Sequence, residues 1–139
     1  MTIKTYTGSC HCGAVRYEAD IDLSAGTNRC NCSFCTKSRS WFVFVKPEAV
    51  RLLAGADAQT EYQWTPAGRP HPFLHHRFCA TCGVRCFGMT GPEMPGGQLY
   101  FVSVTTLDTA SIDELAGPIK FVDGRSDAFE RAPADTRLM

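Results

Sequence analysis

Cys79-Ala80-Thr81-Cys82-Gly83 and, far upstream, Cys10-His11-Cys12-Gly13 decide how this chain is built. Each stretch places two thiols within a few residues and ends in glycine. Two residues between thiols let the amides of a turn point at the sulfurs, and glycine permits the tight turn that follows. Such knuckles aim thiolates at one point, as a soft divalent metal requires. Each stretch supplies two ligands. A shared metal would clip an N-terminal hairpin to the middle of a sheet, and a four-thiolate site of this kind is structural. A redox Cys-x-x-Cys is the competing reading, but it expects a βαβ context that is absent around Cys79.

Cys30-Asn31-Cys32-Ser33-Phe34-Cys35 is different, because it holds three thiols and no fourth nearby. Three protein ligands and one open position are the signature of a catalytic or substrate-binding zinc. The other reading is a second structural zinc, completed by Cys86, His11, His71, His75 or His76. Cys86 reads more readily as a buried strand cysteine. His75 and His76 are adjacent on a strand and face opposite sides, so at most one could reach a metal.

Outward from these clusters the pattern is β. Ile3 to Thr7, Ala14 to Asp20 and Thr60 to Thr65 alternate apolar and polar residues. Trp41 to Val45, Val50 to Leu53, Phe73 to Phe78, Val84 to Met89 and Leu99 to Val104 read as further strands, with a Gly/Pro-rich loop from Gly91 to Gly97. Short strands with frequent turn signals predict a mainly β, antiparallel fold. Helix signals are confined to Ser33 to Ser40 and Thr109 to Leu115. The chain of 139 residues reads as one domain, residues 1–139, with a weakly packed tail over about 130–139.

Composition narrows the function. Lys plus Arg and Asp plus Glu number 14 each, which speaks against a nucleic-acid binder, for which a basic excess is the norm. The run Phe42 to Val45 is far too short to span a bilayer. Met1 to Thr7 shows no secretory h-region, so the expected location is the cytoplasm. There the eight cysteines stay reduced, and metal ligation is favoured over a disulfide framework.

Gly8-Ser9-Cys10-His11-Cys12-Gly13-Ala14-Val15-Arg16-Tyr17-Glu18 resembles the opening motif of the glutathione-dependent formaldehyde-activating enzyme family, whose relatives include centromere protein V. Cys30 to Ser38 resembles the second motif of that family, and Phe78 to Val84 the third. Relatives often carry histidine where this chain has Asn31. The resemblance implies a zinc-containing β-tent fold, two zinc ions and carbon–sulfur lyase-type activity. It also implies that Cys10, Cys12, Cys79 and Cys82 hold a structural ion, and that Cys30, Cys32 and Cys35 hold the active one.

The expected activity is therefore binding of a thiol such as glutathione at the three-cysteine zinc, with addition to or release of a small aldehyde such as formaldehyde. Lys37 and Arg39 follow the second cluster directly and are candidate partners for the glutathione carboxylates, unless they are ordinary solvated charges. Trp41 and Phe42 could wall the pocket, with core packing the expected role of Phe42. The alternative function is a non-catalytic two-zinc β module that binds a protein partner, its second zinc capped internally.

Overall fold

β1 (Lys4–Ser9) and β2 (Arg16–Ile21) form because their inward positions alternate: Tyr6 and Gly8 on one strand, Tyr17, Ala19 and Ile21 on the other. The two pair antiparallel from Lys4↔Ile21 to Ser9↔Arg16, so the Cys10–Gly13 stretch falls in the hairpin loop. β5 (Val50–Ala54) covers the far edge of β2 and completes a three-stranded sheet. These relations come from a computed structural model that describes residues 2–72, 74–94 and 96–139.

The second sheet has seven strands: β3 (Thr27–Cys30), β4 (Trp41–Val45), β6 (Gln59–Tyr62), β7 (Leu74–Cys79), β8 (Phe87–Thr90), β9 (Tyr100–Ser103) and β10 (Ile119–Val122), in the order β10-β3-β4-β9-β8-β7-β6. β7 and β8 are neighbours, and the Cys79–Gly83 stretch lies in the connection between them. Both four-thiol half-sites thus sit where a strand runs into a turn. After β9, the chain turns through Val104–Thr106 and runs beside β1, where Asp108 N–H donates to the Thr7 carbonyl at 2.8 Å. That segment ties the two sheets together.

The expected mainly β character with little helix is found. Helix α1 (Ser33–Ser38) and helix α2 (Ile112–Leu115) are short, and Ser111 and Glu114 form a reciprocal capping box at the start of α2. One pair departs from the antiparallel pattern: β3 and β10 run parallel, Thr27↔Ile119 to Cys30↔Val122, whereas the other strand pairs among the described residues are antiparallel. Neither strand stands out in the sequence, because Thr-Asn-Arg-Cys has no apolar alternation and its partner lies far down the chain. Of the expected strand Phe73 to Phe78, Phe73 lies outside the described residues, as does Pro95 of the expected loop. No helix among the described residues is long and apolar enough to cross a membrane.

Two apolar clusters result. The larger holds Tyr6, Val15, Tyr17, Val43, Phe87, Val102 and Val104, together with Cys10, Cys79 and Cys86. The smaller holds Cys30, Phe42, Phe101 and Val122, with Cys32, Cys35 and Leu74 against it. Each cysteine group is therefore built into its own core. Phe42 packs as expected.

Tyr17 is the pivot of the larger core: it has no exposed surface, stands edge-on to Phe87, and its hydroxyl meets Thr106 Oγ1 at 2.6 Å. Tyr17→Phe keeps the ring and removes one buried hydrogen bond, for an expected loss of about 1 kcal/mol. Tyr17→Ala empties the site and is expected to cost about 3–5 kcal/mol in chemical denaturation. Equal losses would show that the ring is not what holds this core.

Candidate metal centres

The first group is made by two turns of matching design. Cys10 N–H donates to the Val15 carbonyl at 3.0 Å and Gly13 N–H to the Cys10 carbonyl at 3.2 Å. Cys79 N–H donates to Val84 at 3.0 Å and Gly83 N–H to Cys79 at 2.8 Å. Gly13 (φ 81°) and Gly83 (φ 77°) take the left-handed conformation that closes each turn. Backbone N–H groups then point at sulfur: Val15 to Cys10 Sγ at 3.3 Å and Cys82 to Cys79 Sγ at 3.5 Å.

Four sulfurs, of Cys10, Cys12, Cys79 and Cys82, converge within 4.8 Å of one another. Cys10 and Cys12 sulfurs lie 3.7 Å apart, and those of Cys12 and Cys79 lie 3.6 Å apart. A tetrahedral zinc with bonds of about 2.3 Å places its sulfurs about 3.8 Å apart, so the donor set fits that ion. Cys86 belongs to neither sulfur group; it is buried in the larger core, and burial pushes its thiol up to about 12.

The second group, Cys30, Cys32 and Cys35, also converges within 4.8 Å. β3 delivers Cys30. Cys32 caps α1, its sulfur accepting from Cys35 N–H at 3.3 Å, while Cys32 N–H points at Cys30 Sγ at 3.4 Å. Hydrogen bonds from the Cys30 and Cys35 thiols hold the Cys32 pKa well below its ordinary value, while Cys30 and then Cys32 push that of Cys35 well above it. Cys32 is the first of the three to carry charge, and a divalent ion is what would let all three do so together.

A clamp that the sequence does not announce fixes this loop. Asn31 Nδ2 donates to Asp123 Oδ1 at 2.9 Å, and Asn31 Oδ1 accepts from Arg125 N–H at 2.9 Å. The Arg125 guanidinium reaches the Asn31 carbonyl at 3.1 Å and Thr36 Oγ1 at 3.3 Å. Gly124 sits between them, where an added Cβ would lie 2.5 Å from Cys30 Sγ. Asp123-Gly124 reads as a turn in the sequence, but nothing local links it to Cys30.

A cleft opens onto Cys30 and Cys35, bordered by Arg29, Thr36, Arg39 and Ser40, with residues 138–139 along one side. Arg29 lies over the Trp41 ring at 4.6 Å. Arg39 ends α1 in the left-handed region (φ 54°) and donates to the Leu138 carbonyl at 2.9 Å. A non-glycine residue there carries a strain of about 1–3 kcal/mol, a pattern that concentrates at functional sites. Lys37 is exposed on α1 and does not line the cleft. Arg29 is the cation that sequence reasoning missed, since it precedes the cysteine cluster on a strand that is itself inconspicuous.

Behind the loop, the His76 ring stacks on Phe34 with centroids 3.7 Å apart. Arg85 donates to His76 Nδ1 at 2.6 Å and to Ser40 Oγ at 2.5 Å. Burial, then Arg85, lowers His76 to about 4, so the ring is neutral near pH 7. With Nδ1 accepting, Nε2 carries the proton; it is buried and has no partner among the described residues. His75 faces the other way, toward Glu61 at 3.1 Å, and His11 and His71 are exposed. Among the described residues, no fourth His, Cys, Asp or Glu joins the second group.

The Gly124 contact is testable. Gly124→Ala is expected to displace Cys30 and lower metal content by one ion per chain, with the larger core intact by near-UV circular dichroism. Unchanged metal content would show that the turn does not shape the second group.

These features can be set beside known proteins. A crystal structure of a Rhodobacter sphaeroides protein superposes with a TM-score of 0.64 at 28% identity, covering 82% of this chain and 99% of that one. A Halomonas elongata protein, named provisionally as a glutathione-dependent formaldehyde-activating enzyme, is 35% identical over 79 residues. That stretch is 54% of this chain and 50% of the Halomonas protein, so this chain matches about half the length of that relative. Residues 5–121 match the family described as glutathione-dependent formaldehyde-activating enzyme. With that match spanning most of its length, and both cysteine groups inside it, the chain belongs to the glutathione-dependent formaldehyde-activating enzyme family.

Proposed function

We propose that this chain holds two zinc ions, a structural one at Cys10, Cys12, Cys79 and Cys82 and a reactive one at Cys30, Cys32 and Cys35. At the second it binds a thiol such as glutathione and catalyses addition to, or release from, a small aldehyde such as formaldehyde. That is carbon–sulfur lyase-type chemistry. The observation that carries the reading is three convergent sulfurs opening on a cleft, with no fourth protein ligand among the described residues. When bound, an ion held by three thiolates supplies one labile position at which an incoming thiol is kept as thiolate, the nucleophilic form.

The chain's own residues do the rest. The Asn31–Asp123–Arg125 clamp orients the ligand loop, so that the open side faces the cleft. Arg29 and Arg39 border that cleft and offer cationic partners to the carboxylates of glutathione; Lys37 stands further out. Phe42 and Phe101 back the loop with apolar surface, which keeps water from the inner side. In the overall reaction sulfur joins the aldehyde carbon and the thiol proton ends on the aldehyde oxygen; the lyase direction is the reverse. All eight cysteines are free, which suits a reducing compartment such as the cytoplasm.

The binding-module alternative needs an internal cap on the second zinc. Cys86 sits in the other core, and His76 Nδ1 is engaged by a guanidinium that can only donate, so neither supports it.

Two experiments check the reading. Cys79→Ser is expected to melt at markedly lower temperature than Cys32→Ser, since the first group joins distant segments and metal binding there contributes folding free energy. Equal melting temperatures contradict the division of roles. In cobalt-substituted protein, glutathione is expected to perturb the cobalt–thiolate bands, and Cys35→Ser to abolish the change. Arg39→Gly relieves backbone strain but removes a cation; it is expected to weaken glutathione about tenfold and leave 2-mercaptoethanol unaffected. A spectrum indifferent to saturating thiol overturns the catalytic reading.

A further inference from the structure

Arg85 leaves the chain three residues after Cys82, yet its guanidinium lies behind the Cys30–Cys35 loop. It sits over the Phe34 ring at 4.9 Å and the Phe101 ring at 5.6 Å, and its hydrogen bonds go to two neutral acceptors, His76 Nδ1 and Ser40 Oγ. A guanidinium is charged at any accessible pH, and placing one in a partly buried apolar setting without an anion is costly. Among the described residues, no carboxylate is paired with it. The ring it covers, Phe34, lies between Cys32 and Cys35 in the sequence, so the groups on its far side that can become anionic are the sulfurs of that loop.

The charge count gives this position a purpose. A divalent ion on three thiolates carries a net charge of minus one, and a fourth, incoming thiolate raises that to minus two. Arg29 and Arg39 stand on the open cleft, where water and salt screen them and substrate carboxylates compete for them. Arg85 lies on the inner side, where screening is weaker.

We propose that Arg85 is the counter-charge of the three-cysteine centre, selecting an anionic fourth ligand, a thiolate, over a neutral donor. The proposal rests on the metal-binding reading of Cys30, Cys32 and Cys35. Arg85 acts through the field at the centre rather than by touching the substrate, so it is a positioning residue. His76 and Ser40 hold it in place. The histidine serves Arg85 through Nδ1 and stacks on Phe34 through its face, which fixes the ring although its Nε2 has no partner among the described residues.

The test compares two small probes on cobalt-loaded protein, 2-mercaptoethanol as the anionic ligand and imidazole as the neutral one. Neither carries a carboxylate, so Arg29 and Arg39 do not enter. In Arg85→Gln, 2-mercaptoethanol is expected to bind at least about tenfold more weakly while imidazole changes less than about twofold, and Arg85→Lys is expected to recover part of the loss. If both probes weaken together in Arg85→Gln and Arg85→Lys, the residue is merely structural and the proposal fails. An unchanged ratio of the two affinities also overturns it. If cobalt does not take the second group even in the unaltered protein, the metal reading itself falls, an outcome distinct from the others.

Discussion

The sulfurs of Cys12 and Cys79 come within 3.6 Å of each other although the residues are separated by 67 positions, and the placement of the two sheets hangs on that meeting. Thiols gain little from mutual contact, and four of them so close would repel once ionised. In the proposed reading a shared ion turns that repulsion into attraction and contributes directly to folding. Apolar packing works in the same direction. Cys10 and Cys79 are buried in the larger core beside Val15, Tyr17 and Phe87, so the turns and the core fix each other.

The second group is assembled differently, and its chemistry follows from that. Its three cysteines lie within one loop, so sequence alone brings them together, but their orientation is borrowed from elsewhere. Asp123 and Arg125 grip Asn31, Gly124 makes room for Cys30 Sγ, and Arg85 and His76 back Phe34. The parallel β3–β10 pair carries Asp123 to Cys30, and β7 carries His76 to Phe34. A loop fixed from behind and open in front can change its outer ligand without refolding. In the proposed reading the four-thiol group fills every position from the chain itself and has no such freedom.

The knuckles were legible because each is set by a few adjacent residues: Cys-x-Cys-Gly and Cys-x-x-Cys-Gly state their own turn geometry. Trp41–Val45 was legible as a strand because its apolar run needs no partner to be recognised. β3 and β10 were not, since Thr27–Cys30 has no apolar pattern, Ile119–Val122 is only four residues long, and their parallel pairing joins segments far apart in the chain. Asn31 illustrates the same limit. It stands between Cys30 and Cys32, but its work is to bind a turn far along the chain. Arg29 and Arg85 were missed because a cation becomes informative only when the groups around it are known, and those groups come from separate strands.

The central claim is that the second group keeps one position for an outside ligand. The coordination list of a zinc-loaded crystal structure tests it most directly. The account predicts a zinc bound by Cys30, Cys32 and Cys35, with a fourth ligand from outside the protein on the side of Arg29 and Arg39. A fourth ligand drawn from the chain, such as His76 Nε2 or Cys86 Sγ, would contradict it.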